Sequence, residues 1–228
     1  MSIPETPQKV KLIAAVTFQH DSQLNAVESF LMQHFGAVDL RTPDFAFDFT
    51  DYYRDEMGEN LRKIFFSFDR LVEREKLPEI KLLTNKYEFS TSEQGKRTVN
   101  IDLGYICEAS LILVSTKNFS HRIYLGDGIY GDCHLIFEDG TFKPQPWTYP
   151  DYQQKWVRDF FTEVRKKYYE QLCAEKAVPQ TGTISSQFDI RNSTLTYRDA
   201  GVDISEGDRA VERVKAMVRK TYGKNVLS

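Results

Sequence analysis

The sequence predicts an α+β fold: a mixed or antiparallel sheet with helices packed on it, followed by a linker and a short C-terminal helix. Three observations predict it. Apolar runs of strand length alternate along the chain with stretches of helical periodicity, which indicates both element types. An Asp139-Gly140 dipeptide between two strand-like runs signals a β-hairpin. The 228 residues are 41% hydrophobic, too many for a disordered chain.

The first elements follow from periodicity. Lys11–Phe18 is an apolar run of strand length. A helix should come next, with Asp21 or Ser22 placed to cap it. Its apolar residues recur at helical spacing, and they are Leu24, Val27, Leu31 and Phe35.

The later elements complete one sheet with helices on one of its faces. The strand-like runs are Leu61–Phe68, Val99–Tyr105, Ser110–Thr116 and the hairpin arms Cys133–Glu138 and Thr141–Lys143. A long helix closes the stretch, and Asp151 is placed after Pro150 as its expected cap. Apolar residues of this helix step by four, and they are Trp156, Phe160, Val164, Tyr168 and Leu172.

Charge and cysteine content exclude several protein classes. The chain has 30 basic and 33 acidic residues and a net charge of -3, which gives no global footprint for nucleic acid. No run of ~20 apolar residues is long enough to cross a membrane, and the N-terminus lacks a secretory signal. The three cysteines, Cys107, Cys133 and Cys173, are scattered, which is typical of a reducing cytoplasm and of no structural metal site.

Composition divides the chain into three parts. Residues 1–175 are rich in aromatic and β-branched residues and are expected to form the α+β domain. Residues 176–194 contain Pro179, Gly182 and three serines with little periodicity, which is typical of a linker. Residues 195–228 regain order, with an extended start, a turn and a short helix.

A Gly126–Gly131 segment matches the G-x-G-x-x-G pattern of dinucleotide-binding loops. That pattern requires a helix directly after the loop, so that the helix N-terminus faces the pyrophosphate. Here the next residues are strand-like, which favours a glycine-rich turn between strands over a nucleotide site.

One polar cluster in the first domain could bind an anion. Arginine and lysine would supply charge-assisted donors and a histidine could move a proton. The Trp147–Tyr152 segment could add a stacking wall. The alternative is a salt-bridged surface, with this loop closing the sheet edge, because structural ion-pair networks resemble sites. The candidate residues are Asp102, Lys117, His121, Arg122 and Tyr124; no catalytic residue is identified.

Several blocks of the first domain resemble a family of uncharacterised bacterial proteins whose domain is of unknown function. The blocks are Pro43–Tyr53, Arg97–Tyr105, Ser115–Gly131 and Pro146–Tyr152. The resemblance covers about residues 10–170 and implies no activity, because none is assigned to the family.

The last 34 residues carry a more specific pattern. Ser205 can cap a helix, Gly223 can end it, and Val211, Val214 and Val218 form its apolar face. Taken alone, this would be a helix that docks on the first domain or on a second copy. The Tyr197–Ile204 block resembles the amino-terminal start of phosphoribosylformylglycinamidine cyclo-ligase, also called aminoimidazole ribonucleotide synthetase. The residues of the start motif are Tyr197, Asp199, Gly201 and Asp203.

This second resemblance implies a pathway rather than an active enzyme. The family closes an imidazole ring in de novo purine biosynthesis with ATP and magnesium, and the full-length enzyme could be a homodimer. Its glycine-rich loop and ATP-binding core would follow residue 228, so we expect no ATP site, no cofactor and no cyclo-ligase activity in this chain. The missing cyclo-ligase domain would be the natural partner. Two origins fit: a truncated piece of a fusion, or a frameshift or contig end that leaves only the beginning of the second gene. The alternative is a stand-alone cytoplasmic binding module, for a phosphate-bearing ligand.

Overall fold

Residues 3–177, which the computed structural model describes, form one antiparallel sheet of nine strands with helices packed against it. This confirms the predicted α+β class. Seven strands follow the order β2-β4-β1-β5-β6-β8-β7, while β3 pairs with β4 and β9 with β8. The strands are β1 (Val10–Phe18), β2 (Val38–Arg41), β3 (Phe45–Ala46), β4 (Arg62–Val72), β5 (Val99–Ile106), β6 (Ser110–Ser115), β7 (Arg122–Gly126), β8 (Ile129–Glu138) and β9 (Thr141–Pro144).

Five α-helices accompany the sheet in the described part of the chain. They are α1 (Asp21–Phe35), α2 (Arg54–Met57), α3 (Leu77–Ser90), α4 (Pro150–Gln153) and α5 (Lys155–Ala177), with a 3-10 turn at Arg74–Lys76. Within residues 3–177, no helix combines the length and the apolar character that a membrane crossing requires.

The helices cover both faces of the sheet, whereas the sequence predicted helices on one face. All nine residues of β1 are buried, so this central strand has apolar contacts on both sides. Val10, Leu12, Ala14, Val16 and Phe18 belong to the core under α1 and α3. The alternate residues of β1 face α5 on the other side.

The apolar stripe of α5 differs from the predicted one by about one residue at its start. Val157, Phe161 and Val164 are buried against the sheet, whereas Trp156 is exposed. The periodic residues Tyr168 and Leu172 are buried as expected. The α1 stripe agrees fully, because its four predicted apolar residues are all buried.

The structure also tests two predicted turns and the predicted cap of α1. Asp139 and Gly140 both have positive φ and join β8 to β9, as predicted. The residue that precedes α1 is His20 rather than Asp21, and Gln23 Oε1 accepts its backbone N–H at 2.9 Å. The glycine-rich segment that begins at Gly126 is a turn from β7 into β8, so the rejection of a dinucleotide loop is supported by the absence of a helix after it in this described segment.

Several predictions fall on residues that the structure does not describe. They include most of the 176–194 linker and the short C-terminal helix within 195–228. Helix α5 itself continues to Ala177.

Candidate functional site

A cleft opens where two neighbouring strands of the sheet separate. Strands β5 and β6 pair only from Gly104 to Ile106, opposite Leu111 to Leu113. Beyond these pairs the amino-terminal half of β5 and the end of β6 diverge. The cleft between them has a volume of about 260 Å³ and is lined by side chains from α3, β5, β6 and β8.

Two side chains of α3 bind the backbone that β6 leaves unpaired. Lys81 Nζ donates to the carbonyl oxygen of Ile101 at 2.8 Å, and the Ile101 N–H donates to Glu88 Oε1. Burial raises the pKa of Glu88, and the nearby Lys81 charge opposes that shift only in part. A lysine and a glutamate thus replace the missing strand contacts, which keeps the buried peptide groups of β5 satisfied.

Gly104 marks the point at which the strands separate. A Cβ atom at this position would lie 2.3 Å from the backbone oxygen of Ile112, far inside normal contact. Glycine therefore permits the close approach of β5 and β6 directly beside the cleft.

Arg97 forms one wall of the cleft. Its guanidinium group binds Glu56 through two hydrogen bonds of 2.7 and 2.6 Å and donates to Asn100 Oδ1 at 2.8 Å. The hydrogen bonds from Arg97 lower the pKa of Glu56 and, reciprocally, raise that of Arg97. Asn100 is only 5% exposed and its Nδ2 donor has no hydrogen-bond partner among the described residues.

Arg122 forms the opposite wall and is held by four acceptors. It donates to Asp132 Oδ2 at 3.2 Å, to Ser115 Oγ at 3.2 Å and to the carbonyl oxygen of Lys117 at 2.9 Å. It also reaches the Tyr149 hydroxyl at 3.2 Å. These contacts fix the guanidinium at the cleft, so it is preorganised for an incoming acceptor.

Asp132 connects the strand to two histidines. The Tyr149 N–H donates to His134 Nε2 at 2.9 Å, so the His134 proton must be on Nδ1, which lies 3.4 Å from Asp132 Oδ1. His121 Nε2 lies 3.2 Å from the second Asp132 oxygen. Burial acts to raise the pKa of Asp132, but the hydrogen bond with His134 and the Arg122 charge outweigh it, and the pKa is lowered.

The Trp147–Tyr152 segment is anchored on β8 and brings an aromatic side chain to the cleft. Trp147 Nε1 donates to the carbonyl oxygen of Cys133 at 3.0 Å, and Thr148 Oγ1 donates to that of His134. Tyr149 then lines the cleft. The segment therefore packs on β8 between the parts that pair with β7 and β9, and it leaves the cleft open.

A second cavity of about 390 Å³ adjoins the cleft and has an aromatic lining. At its floor the Lys63 ammonium group lies 2.7 Å from Asp151 Oδ2, and each of these side chains is 2% exposed. Asp102 lies farther from Lys63, at 3.6 Å, and its side chain is 27% exposed. The Lys63 charge also lies 4.8 Å from the ring centre of Phe47, which adds a cation–π contact. Asp151 was predicted to cap α5; it instead lies within α4 and pairs with Lys63.

The structure brings together three of the five predicted anion-site residues. Asp102, Lys117 and Arg122 all line the cleft. His121 lies beside it, stacked on Trp147 at 4.8 Å between ring centres, and contacts Asp132. Tyr124 is 60% exposed on β7 and packs on Tyr130, outside the cleft lining. The start-motif residues Tyr197, Asp199, Gly201 and Asp203 lie outside the described residues.

Sequence reasoning missed the residues that come from distant parts of the chain. Lys63 could have been found from the sequence, because it is a charged residue inside the apolar run of β4, and a charge buried in such a run needs a partner. No such signal marked Arg97, which depends on Glu56, 41 residues earlier in the chain. The overlooked residues are Tyr52, Tyr53, Lys63, Lys81, Glu88, Arg97, Asp132 and Asp151.

Within residues 3–177, no three histidine, cysteine or acidic side chains are grouped so that they could hold a metal ion.

Comparison with known proteins gives one match over most of the chain and several short ones. A family model described as "Domain of unknown function (DUF4416)" matches residues 8–168. Phosphoribosylformylglycinamidine cyclo-ligases match over a short stretch: that of Xylella fastidiosa is 56% identical over 34 residues, 15% of this chain and 10% of the relative. The enzyme of an Anaeromyxobacter species is 60% identical over 35 residues, again 15% and 10% of the two chains.

A third cyclo-ligase, from a Polaromonas species, is 51% identical over 37 residues, 16% of this chain and 11% of the relative. The matched stretch thus spans about a tenth of the length of these curated relatives, and it supports the resemblance of residues 195–228 to their amino-terminal start. No solved structure matches the chain.

Proposed function

Because the chain belongs to the DUF4416 family, whose description assigns no activity, we propose a role from the geometry: the cleft between β5 and β6 binds a small phosphate-bearing ligand. The observation that carries the proposal is that two side chains of the cleft have unused hydrogen-bond donors. Lys117 Nζ has only the Tyr52 hydroxyl as a partner among the described side chains, at 2.6 Å. Asn100 Nδ2 has none, and both side chains line the cleft.

The charges of the cleft favour one anionic group. Four basic side chains line it, Lys81, Arg97, Lys117 and Arg122, against three carboxylates, Glu88, Asp102 and Asp132. Lys117 has no carboxylate within salt-bridge distance in the described part of the chain. A phosphate would supply the missing charge and several acceptors at once.

Buried tyrosines make the cleft compatible with an anion. Burial, followed by the charge of Asp102, raises the pKa of both Tyr53 and Tyr149. Both hydroxyl groups are therefore neutral donors at physiological pH, and they add no repulsion toward a phosphate. The free thiols Cys107, Cys133 and Cys173 agree with a proposed cytoplasmic location.

Titration calorimetry with orthophosphate tests this proposal. We expect saturable binding by the wild-type protein and a loss of about fivefold in affinity for Lys117→Met, equivalent to about 1 kcal/mol for an exposed charge. Lys9→Met is the matched control, because Lys9 lies at the opposite end of the sheet and pairs with Glu175. Absence of phosphate binding, or an equal loss in both variants, would overturn the proposal.

A second proposal concerns residues 195–228. We infer that they are the amino-terminal segment of a phosphoribosylformylglycinamidine cyclo-ligase that follows the DUF4416 domain. The identity of 51–60% over 34–37 residues supports it. The complete fusion would carry out ATP- and magnesium-dependent ring closure in purine biosynthesis, through a homodimeric ligase domain. The present chain matches about a tenth of such an enzyme and is proposed to be inactive in that reaction.

Two observations test the fusion. The DNA downstream of codon 228 should continue in frame into a glycine-rich loop, whereas a stop codon there would contradict the fusion. An assay of this chain with ATP, magnesium and formylglycinamidine ribotide should give no turnover above background. Turnover would contradict the proposed inactivity.

A further inference from the structure

The cleft and the aromatic cavity form one two-part site. They share a common wall, composed of Tyr52, Tyr53, Asp102, Lys117 and Tyr149. The cleft, of about 260 Å³, holds the arginines and is termed the polar chamber. The second cavity, of about 390 Å³, is termed the aromatic chamber. The polar chamber alone is smaller than an ordinary ligand site of about 300–1,000 Å³, which suggests that one ligand occupies both.

The aromatic chamber has the lining of a site for a flat ring. Phe47 and Phe49 lie 6.0 Å apart between ring centres, and Tyr53 lies 6.0 Å from Phe47. Tyr52 is 60% exposed at the mouth, so its ring is available to stack on a ligand. Aromatic side chains in this arrangement bind unsaturated rings through their faces and edges.

Asp102 lies at the junction of the two chambers and has an open carboxylate. Among the described residues, its closest charge is Lys63 at 3.6 Å, and no side chain or backbone group donates a hydrogen bond to it. A carboxylate in this state accepts from hydroxyl groups or ring N–H groups. It also repels a second phosphate, which restricts the anionic part of the ligand to one such group.

We propose that the ligand of this site is a nucleoside-monophosphate-like molecule, with its phosphate in the polar chamber, its flat ring in the aromatic chamber and a hydroxyl or N–H donor on Asp102. This inference rests on the proposed phosphate-binding function and specifies its ligand class. Arg97 is paired with Glu56 and Arg122 with Asp132, and Lys81 lies near Glu88. The lining cation without a carboxylate partner among the described residues is therefore Lys117, and this single charge fits a monophosphate of ≈ −1.5 to −2 better than a polyphosphate.

Affinity measurements with four probes test the inference: orthophosphate, ribose 5-phosphate, adenosine and adenosine 5′-monophosphate. We expect the monophosphate to bind about tenfold more tightly than ribose 5-phosphate, equivalent to about 1.4 kcal/mol. Tyr52→Leu should remove most of this difference, whereas Tyr52→Phe should keep it because the ring remains. Phe89→Leu is the control for an exposed aromatic residue, since Phe89 is 82% exposed and lines neither chamber.

The outcomes separate the two proposals. Equal affinity for ribose 5-phosphate and the monophosphate would overturn the ligand class and leave phosphate binding intact. Equal affinity for adenosine and the monophosphate would overturn the phosphate site itself, and the inference with it. Failure of all four probes to bind would overturn both.

Asp102→Ala gives an independent test, because it should change the ratio of the affinities for two phosphate-bearing probes. Loss of the negative charge should strengthen binding of both probes, whereas loss of the acceptor oxygens should weaken only adenosine 5′-monophosphate. The affinity for adenosine 5′-monophosphate relative to orthophosphate should therefore fall. The matched control is Asp139→Ala, in the exposed β8–β9 turn. An unchanged affinity ratio between the two probes would contradict the role of Asp102 at the junction.

Discussion

Two buried lysines lie on the α5 face of the sheet, one near each end, and their surroundings differ. Lys11 donates to Asp39 at 2.6 Å, to Gln171 at 2.7 Å and to the carbonyl oxygen of Phe68 at 2.8 Å. All three donors of its ammonium group are therefore used. Lys63 has one close carboxylate, Asp151, and faces the aromatic chamber.

The difference between these regions distinguishes a structural ion pair from a site. Burial dominates the environment of Lys11 and lowers its pKa, although the hydrogen bond and charge of Asp39 act in the opposite direction. Its surroundings are closed and leave no group for a ligand. At Lys63 the second carboxylate, Asp102, is partly exposed and has no hydrogen-bond donor among the described residues. Both ends contain a buried charge. Among the described residues, the unused polar groups named above, Asp102 and Asn100 Nδ2, lie at the Lys63 end, which is termed the open end; the Lys11 end is termed the closed end.

The largest expected effect comes from removing each lysine in turn. Lys63→Met should lower the free energy of unfolding by about 3–5 kcal/mol, because it leaves the buried Asp151 carboxylate without its close cation. Lys11→Met should cost less, because Asp39 keeps the Ser67 hydroxyl at 2.6 Å and the Lys167 ammonium group at 3.7 Å. Urea unfolding measures both losses. Only Lys63→Met should also weaken binding of adenosine 5′-monophosphate.

A variant in which both members of the Lys63–Asp151 ion pair are replaced by apolar residues provides the control for that experiment. The double variant Lys63→Met/Asp151→Leu should recover most of the lost stability, since an apolar pair can replace a buried ion pair. Equal weakening of ligand binding in Lys11→Met would remove the distinction between the two ends.

A smaller effect should follow from a methyl group at the point where β5 and β6 separate. Gly104→Ala should cost about 1–3 kcal/mol, because the new Cβ would lie 2.3 Å from the Ile112 oxygen. Gly131→Ala is the control: its Cβ would meet only the flexible end of Leu125, at 3.2 Å. Thermal unfolding of the two variants gives the comparison, and equal losses would show that the close approach of β5 and β6 is not tight.

The smallest effect concerns a tyrosine at the closed end. Tyr168 donates to the carbonyl oxygen of Lys9 at 2.6 Å, and burial raises its pKa from 10.0 to about 12. Tyr168→Phe should lower stability by about 0.5–1.5 kcal/mol at neutral pH.

The sign of the pH dependence follows from linkage. Because the folded protein retains the Tyr168 proton longer than the unfolded chain, this contribution is complete below pH 10 and is lost as pH rises through about 12. The stability difference between wild type and Tyr168→Phe should therefore shrink over that window in denaturant titrations. A difference that stays constant would contradict the raised pKa.

Local periodicity predicted those elements whose buried faces are apolar throughout. Leu24, Val27, Leu31 and Phe35 of α1 are the clearest case. Helix α3 was not predicted, because its buried face includes Lys81, Thr84 and Glu88, which interrupt the apolar pattern. Lys81 and Glu88 are buried because β5 and β6 separate and leave the Ile101 backbone groups for them to bind, which no local signal reveals.

The site was predicted to the extent that its residues are close in sequence. Asp102 on β5, Lys117 after β6 and Arg122 at the start of β7 lie within 21 positions of the chain, and all three line the cleft. Lys63 and Asp151 are 88 positions apart, so their pairing depends on the packing of α4 against β4. Strand pairing determines which distant charges meet, and a single sequence does not specify it.

The most direct test of the open end as the binding site is a backbone and side-chain amide NMR titration with orthophosphate. The account predicts the largest shift changes at the Asn100 side-chain amide and at Ser115 to Lys117, with little change around Lys11 and Gln171. Largest changes at the Lys11 end, or none at Asn100 and Lys117, would contradict it.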